Sequence, residues 1–361
     1  MRIGLIAPPW IQVPPPAYGG IESVIDVLAR GLAAAGHEVL LAAAAGSTCP
    51  VEQVPGAPAG DLSRMGMCAD ELAHSVFAYE AMAAVDLVHD HTLAGPLYRH
   101  RPEKTPLVTT AHGPLTGGAR PIYRAMTAEA SLIAISHHQA RSAPDLRISR
   151  VIHHGIDTAT VPLGRGDGGY ACFLGRMHPD KGMLQAIGAA RLARMPLRIG
   201  AKMQSRDEHE YFRAVIVPLL GSDVEYLGEL NTAEKYTLLG GAVALLNPIQ
   251  WPEPFGMVMI ESLAAGTPVI ATPRGSAPEI VDDGATGFLR GGIRHLAAAL
   301  RQAETLDRRR CRRVAETRFS ARRMVSDHIR LYQEALAGRP VASLTETLAL
   351  PDEERSLIRQ H

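Results

Sequence analysis

Short apolar runs and amphipathic stretches alternate along the chain from its first residues. Residues 2–7 form an almost wholly apolar run, closed by a proline-rich loop over 8–18. Gly19-Gly20 then opens a stretch in which Ile21, Val24, Ile25, Leu28, Ala29 and Leu32 fall at helical spacing, and Gly36 ends it. Further apolar runs at 38–44, 87–89, 107–110, 131–135 and 150–153 read as strands, with a helix over 69–84 between two of them. Strands that are apolar throughout, alternating with helices, imply a parallel sheet covered on both faces.

The pattern then restarts. Residues 155–169 are polar and glycine-rich and read as a linker. Beyond it the spacing predicts strands at 170–174, 197–200, 224–226, 242–246 and 269–271, and a helix over 181–194. Two α/β units of similar size imply a cleft at the carboxyl ends of their strands, where ligands bind in open α/β sheets. The end is helical, with Met324, His328, Ile329 and Tyr332 at helical spacing over 321–335. The expected division is an N-terminal Rossmann-like unit, 1–155, a second, 156–320, and C-terminal helices, 321–361. The last twenty residues read as a polar helix.

Composition narrows the function. Lys+Arg and Asp+Glu both count 37, so no bulk field draws the chain to nucleic acid. Aromatics at 5% exclude an extended base-stacking platform. Cys49, Cys68, Cys172 and Cys311 show no C-x-x-C spacing and read as reduced thiols of a cytoplasmic protein. The first apolar run is too short for a secretion signal, and no run approaches a membrane span. Arg308–Arg310 with Arg312 and Arg313 reads as a solvated helix face rather than an anion contact.

Three segments carry chemistry. In Trp251-Pro-Glu-Pro-Phe-Gly-Met-Val-Met-Ile-Glu261, Glu253 follows a buried-type strand and Gly256 begins a helix. The first backbone N–H groups there, at Phe255, Gly256 and Met257, favour anionic ligand groups. Glu261 lies about 7 Å further up the axis at roughly 1.5 Å per residue, where a carboxylate accepts hydroxyl hydrogen bonds such as a ribose diol offers. In Phe173-Leu-Gly-Arg-Met-His-Pro-Asp-Lys-Gly182, Arg176 and Lys181 bring two cations to a strand's carboxyl end, enough to neutralise a diphosphate leaving group without a metal. Gly19-Gly20 permits close ligand approach at a helix start but lacks the dinucleotide fingerprint G-x-G-x-x-G.

With these segments, the chain resembles the retaining GT-B-fold glycosyltransferases of family 4 (glycosyltransferase group 1). The likeness spans about residues 1–336. It takes in Gly19-Gly20, Thr-Ala-His-Gly ending at Gly113, Leu-Gly-Arg…Lys-Gly at 174–182, and Glu-Pro-Phe-Gly…Glu at 253–261. It ends on Ala-Ala-Gly-Thr-Pro-Val-Ile at 264–270 and Gly-Ser-Ala-Pro-Glu-Ile-Val at 275–281. The resemblance implies two Rossmann-like domains facing a central cleft, 1–155 binding the acceptor and 156–320 the nucleotide sugar, with the first of the C-terminal helices packing back toward the N-terminal domain. It implies sugar transfer from a nucleotide-diphosphate donor, UDP-sugar favoured, without a cofactor or metal. It implies that Arg176 and Lys181 hold the diphosphate and Glu261 the ribose. Glu253, with the amides of Phe255, Gly256 and Met257, would hold the donor sugar. Gly19 or Gly20 would meet the diphosphate from the other domain, His112 would reach the sugar near the reacting carbon, and Gly228 would pass near the base. Two departures are Ser276, where many members carry glycine, and Asn247-Pro248 in place of Pro-Ser.

The acceptor, a small molecule, lipid or glycan, is not legible. Trp10 and Tyr18 in the proline-rich loop are candidate sugar-stacking faces, and His91 lies on the side the resemblance gives to the acceptor. His89-Asp90-His91 has the look of a metal triplet, but neighbours on an extended strand point to opposite faces, so all three cannot converge. His137-His138 and His153-His154 read as loop or strand-end residues. Rival readings are an epimerase or glycan phosphorylase of the same fold, an NAD-dependent oxidoreductase lacking its fingerprint, and a non-catalytic sugar-nucleotide-binding partner.

Overall fold

The computed structural model describes residues 1–17 and 19–338. They form two compact units: one of Met1–Pro15, Ile21–His153 and residues 324–338, the other of Pro16–Gly20 and His154–Arg323. Strands of the first unit are β1 (Arg2–Ile6), β2 (Glu38–Ala42), β3 (Glu52–Gln53), β4 (Leu87–Asp90), β5 (Leu107–Ala111), β6 (Ser131–Ala134) and β7 (Ile148–Val151). Among the described residues they make one parallel sheet in the order β3-β2-β1-β4-β5-β6-β7. Helices α1 (Gly20–Ala34), α2 (Cys68–Ala81), α3 (Arg120–Met126) and α4 (His137–Arg141) connect them. Buried Ile6, Leu40, Val88 and Leu107 pack under Ala78, Tyr79 and Met82 of the α2 segment. One face of β1, β2, β4 and β5 is thereby covered, as a parallel sheet requires.

The second unit repeats the plan with β8 (Ala171–Arg176), β9 (Leu197–Lys202), β10 (Val224–Gly228), β11 (Ala244–Asn247), β12 (Val269–Ala271) and β13 (Gly287–Leu289). All are parallel, in the order β10-β9-β8-β11-β12-β13. Its helices are α5 (Met183–Ala193), α6 (Arg206–Tyr211), α7 (Thr232–Gly241), α8 (Met257–Ala264), α9 (Ala277–Ile280), α10 (Ile293–Gln302) and α11 (Arg308–Arg318). Phe173, Ile199, Leu246 and Ile270 from four strands pack with Ile187 of α5 and Leu296 and Leu300 of α10. The last described helix, α12 (Ala321–Leu336), runs from the second unit into the first. There it lies so close to α1 that a Cβ on Gly31 would come within 2.3 Å of Val325 Cγ2. Among the described residues no helix is long and apolar enough to cross a membrane.

The sequence pattern missed where β8 ends. The strand continues past the expected 170–174 to Arg176, in register with Lys202 at the end of β9. The helix expected from 181 starts at Met183, because Gly182 before it is left-handed (φ +76°). His137 and His138, expected in a loop, open α4.

Two further expectations are corrected. The glycine-rich stretch is no free linker: Gly164, Gly166 and Gly168 donate their N–H groups to Ala265, Gly240 and Gly241 carbonyls, all at 2.9 Å. Gly164 and Gly240 run so close that a Cβ on Gly164 would meet Gly240 Cα at 2.1 Å. The basic run is not a uniformly solvated face either. Arg308 donates to the Gly164, Gly240 and Ala242 carbonyls at 3.0–3.1 Å and to Thr267 Oγ1 at 2.7 Å. Arg312 reaches the carbonyls of Val161 and Ala264 at 2.7 Å. Arg309, Arg310 and Arg313 are exposed. Helix geometry explains the split: positions four apart share a face, and that face is turned to backbone carbonyls at the ends of α7 and α8 and of the stretch 161–164.

Arg308→Ala removes the guanidinium from the Gly164 and Ala242 carbonyls and from Thr267 Oγ1, while Gly240 keeps the Gly166 N–H, and should lower the unfolding free energy by about 2–4 kcal/mol. Arg309→Ala should change it by less than about 0.5 kcal/mol. Urea unfolding of the two variants makes the comparison, and equal effects would return Arg308 to the solvated face.

Candidate active site

The site in the second unit is built by two loops that glycine allows to touch. After β8, a single turn at Pro179–Lys181 is capped by His178, whose Nδ1 accepts the Asp180 N–H at 3.3 Å. Gly182 follows, and a Cβ there would sit 1.9 Å from the Pro248 carbonyl oxygen. The loop after β11 is laced to the same turn, with the Gln250 N–H donating to the Asp180 carbonyl at 2.7 Å. Lys181 is thereby pressed into the loop: its Nζ lies 5.8 Å from the centre of the Trp251 ring and donates to Glu253 Oε1. Both side chains are well buried, 10% and 16% exposed.

A second close approach fixes Glu253 from behind. Gly275 is left-handed (φ +59°), and a Cβ there would come 2.3 Å from the Glu253 carbonyl oxygen and 2.5 Å from its nitrogen. The neighbouring Ser276 donates its N–H to the Glu253 carbonyl at 3.1 Å and its hydroxyl to the Phe255 carbonyl. Ser276 thus turns a departure from the family pattern into an anchor for the loop. Gly256 (φ +113°) caps α8 without a side chain, so the helix begins at Met257 with no side chain of its own cap on its first N–H groups.

Every charged residue predicted for this site has a partner of opposite sign. Arg176 Nη1 donates to Glu208 Oε1 at 3.0 Å. Glu261, on α8, is no solvated helix residue: Lys235 of α7 donates to its Oε1 at 2.6 Å. Glu208 and Lys235 escaped the sequence reading, since the Ser205-x-x-Glu208 pattern marks only a helix start and Lys235 only a helix face, and neither names a charged partner. Lys202 escaped it too, though a lysine ending an apolar strand was a visible signal; it is buried beside Arg176 in the β8–β9 register. Two buried donors, Asn247 Nδ2 and Trp251 Nε1, have no hydrogen-bond partner among the described residues. Buried polar groups are paired as a rule, so both are suited to an acceptor brought by a ligand. Gly228 (φ +84°) ends β10, and Leu230 beyond it packs on Gly200.

Of the remaining predicted residues, Gly19 is buried and Gly20 is the first residue of α1. Trp10 is half-buried and its Nε1 has no partner among the described residues. Tyr18 lies outside the described residues.

In the first unit the triplet at the end of β4 divides as strand geometry requires. His89 and His91 share one face, their rings 4.0 Å apart. His89 bonds Tyr332 of α12 through Nδ1 at 2.7 Å and Thr110 of β5 through Nε2 at 2.8 Å. His91 Nδ1 meets His112 Nε2 at 2.9 Å, so one of the two nitrogens carries the proton and the other accepts it. Burial, and secondarily the charge of His328, pushes the pKa of His112 down to about 3, which keeps the ring neutral at ordinary pH. Asp90 points the other way, accepting from Tyr79 Oη at 2.8 Å and the Thr92 N–H at 2.8 Å. Burial pushes its carboxyl up to about 7 against those hydrogen bonds.

Asp90 therefore carries a proton in the fold over a range where the unfolded chain, with a pKa of about 3.9, does not. Its contribution to stability is complete below the unfolded value and is lost as pH rises through about 7. Asp90→Asn mimics the protonated form. Wild type should lose on the order of 4 kcal/mol relative to the variant between pH 4 and 7.5. Urea unfolding at both pH values measures this, and a constant gap would mean that Asp90 is ionised throughout.

Two sequence profiles match adjoining stretches of the chain: "Glycosyltransferase Family 4" over residues 18–160 and "Glycosyl transferases group 1" over 161–318. The phosphatidyl-myo-inositol mannosyltransferase of Mycolicibacterium smegmatis is 28% identical over 319 residues, covering 80% of each chain. The crystal structure of AviGT4, a glycosyltransferase involved in avilamycin A biosynthesis, matches with TM-score 0.70 at 25% identity, over 93% of this chain and 98% of that one. Anabaena Alr3699/HepE in complex with UDP and glucose has the same fold, with TM-score 0.73 at 19% identity over 92% of this chain and 100% of that one. Profiles, relative and fold agree with one another: the chain belongs to the group 1, family 4 glycosyltransferases and has the GT-B fold.

Proposed function

We propose that this glycosyltransferase moves a sugar from a nucleotide-diphosphate donor to an acceptor hydroxyl, with retention at the anomeric carbon and without a metal. The observation that carries the reading is the second unit's loop pair, which sets Lys181, Glu253 and the start of α8 together with Glu261 one helix turn further on. Arg176 and Lys181 take the diphosphate. Glu261 keeps one carboxylate oxygen on Lys235 and offers the other to the ribose hydroxyls. Glu253 and the backbone at Phe255, Gly256 and Met257 hold the sugar hydroxyls. UDP is the nucleotide to test first, because a protein of the same fold was crystallised with it.

The reaction breaks the bond between the anomeric carbon and the diphosphate oxygen and forms a bond to the acceptor oxygen on the same face. Negative charge grows on the departing phosphate, where the two cations stabilise it. The acceptor proton passes to that phosphate oxygen, which needs no protein base. His112, neutral at working pH, contributes a hydrogen bond at the sugar rather than a charge. The family resemblance, rather than any group in the site, supports retention.

Nucleoside diphosphate should stabilise the protein by about 2.7 kcal/mol at a hundred times Kd, in the presence of EDTA. Loss of that stabilisation on chelation would overturn the metal-free reading. Lys181→Ala should slow donor turnover, read as nucleoside diphosphate release, by about 10²-fold with the fold retained.

The two glutamates should separate. Glu261→Gln loses about one charge-assisted hydrogen bond and should weaken nucleoside diphosphate about tenfold. Glu253→Gln removes the carboxylate that Lys181 holds before the donor arrives. It should therefore leave nucleoside diphosphate binding intact or tighter while turnover falls. If Glu253→Gln weakens the nucleotide as much as Glu261→Gln, the sugar-side role of Glu253 is wrong.

A further inference from the structure

We propose that Glu208 is a positioning residue for the donor site: it holds the Arg176 guanidinium at the end of β8, ready for the diphosphate. The inference rests on the reading that Arg176 meets that diphosphate, and goes beyond it by assigning a residue outside every family motif.

Glu208 is the third residue of the short helix α6 and closes a capping box with Ser205. Its Oε2 accepts the N–H groups of Gln204 at 2.8 Å and Ser205 at 3.2 Å, while Ser205 Oγ accepts the Glu208 N–H at 3.2 Å. Capping needs no more than that. The other capping box of this unit, Asn231 with Glu234 at the start of α7, makes the same pair of bonds at 2.9 and 3.0 Å with both residues exposed. Glu208 instead has a side chain only 4% exposed. A full charge is costly to bury and is tolerated where a partner and hydrogen bonds answer it. Its second oxygen, Oε1, finds that partner in Arg176 Nη1 at 3.0 Å. Burial raises the carboxyl, but the Gln204 and Ser205 amides together with Arg176 outweigh it and hold the pKa below the usual range.

The geometry then works in one direction. Oε2 is tied to backbone, so the carboxylate cannot follow Arg176; Arg176 follows it. The guanidinium is a rigid fork, and binding through Nη1 fixes its plane while leaving its other N–H edges for phosphate oxygens. Arg176 is itself 40% exposed, so ligand can reach it. An arginine released from Glu208 would have to be ordered afresh each time a diphosphate bound.

Isothermal titration with UDP, ADP and GDP identifies the tightest nucleoside diphosphate, which then serves as the probe. Glu208→Gln keeps an oxygen for the cap but puts an amide against Arg176, and should weaken the probe about three- to tenfold. Arg176→Ala should weaken it further, and Glu208→Gln should add nothing in that background. Ser205→Ala breaks the other half of the capping box and should lower the melting temperature without changing affinity. Should Glu208→Gln fail to fold, Glu208→Asp keeps the charge but cannot span cap and arginine, and enters the same cycle. Unchanged or tighter binding in the Glu208 variant, additive losses in the double variant, or an equal loss in Ser205→Ala each overturn the positioning role. Unchanged binding in Arg176→Ala instead overturns the donor reading itself.

Discussion

Backbone touches backbone at Gly182 and at Gly275, and the charged site of the second unit is assembled on those two contacts. A Cβ at either position would lie within 1.9–2.3 Å of a main-chain oxygen, of Pro248 in one case and Glu253 in the other. Both glycines also have left-handed backbone. The requirement is thus double, for space and for conformation, and no other residue meets both. Because main chain moves less than side chain, the contacts hold Lys181 against Glu253 more tightly than side-chain packing alone would. The lysine–glycine and glycine–serine pairs of the sequence are consequences of that constraint.

Electrostatics complete what the backbone starts. Lys181 with Glu253, Arg176 with Glu208 and Lys235 with Glu261 form three ion pairs in one unit. Burying a charge alone would cost several kcal/mol, on the order of what a whole domain has to spare, so the partners come together or not at all. The result is a site of fixed, matched charges. Groups already oriented stabilise a developing charge without reorganising when it appears. Lys181 is the exception in kind under the proposed function, where its partner Glu253 turns to the donor sugar and the pair is remade when a donor binds.

The first unit solves a different problem with neutral groups. His89, fully buried, has both ring nitrogens bonded to hydroxyls. Burial, with further lowering by His328 and His112, holds its pKa well below the usual histidine range. One of its hydroxyl partners, Tyr332, is carried by α12, which ties the end of the described chain to the end of β4. Asp90, on the opposite face, is held by Tyr79 and Thr92, with no room for a side chain on Gly95 beside it: a Cβ there would come 2.1 Å from Asp90 Oδ2. A three-residue polar segment is in this way split into two networks by the pleat of a single strand.

The chain's own pattern determined much of this. Alternating apolar runs and helical stripes identified two parallel α/β units, because burial on both faces of a strand leaves a continuous hydrophobic signature that needs no knowledge of neighbours. The motifs likewise named Lys181, Glu253 and Glu261, since glycine, proline and charge at fixed spacing are local features. What the sequence could not yield were the answers that depend on which segments meet. Arg308 and Arg312 looked like a solvated run because a charge's surroundings come from distant segments, here residue 164 and the helix ends at 240 and 264. The stretch 155–169 looked like a linker because the carbonyls that pin it lie some 75–100 positions away along the chain. Ser205-x-x-Glu208 has the spacing of a helix cap and Lys235 stands on a helix face, but both read the same whether water or a charged partner lies beyond them. Local chemistry is written in the residue order, whereas a charge's partner is chosen only when strands β8 and β9 and the loops at their ends are brought side by side.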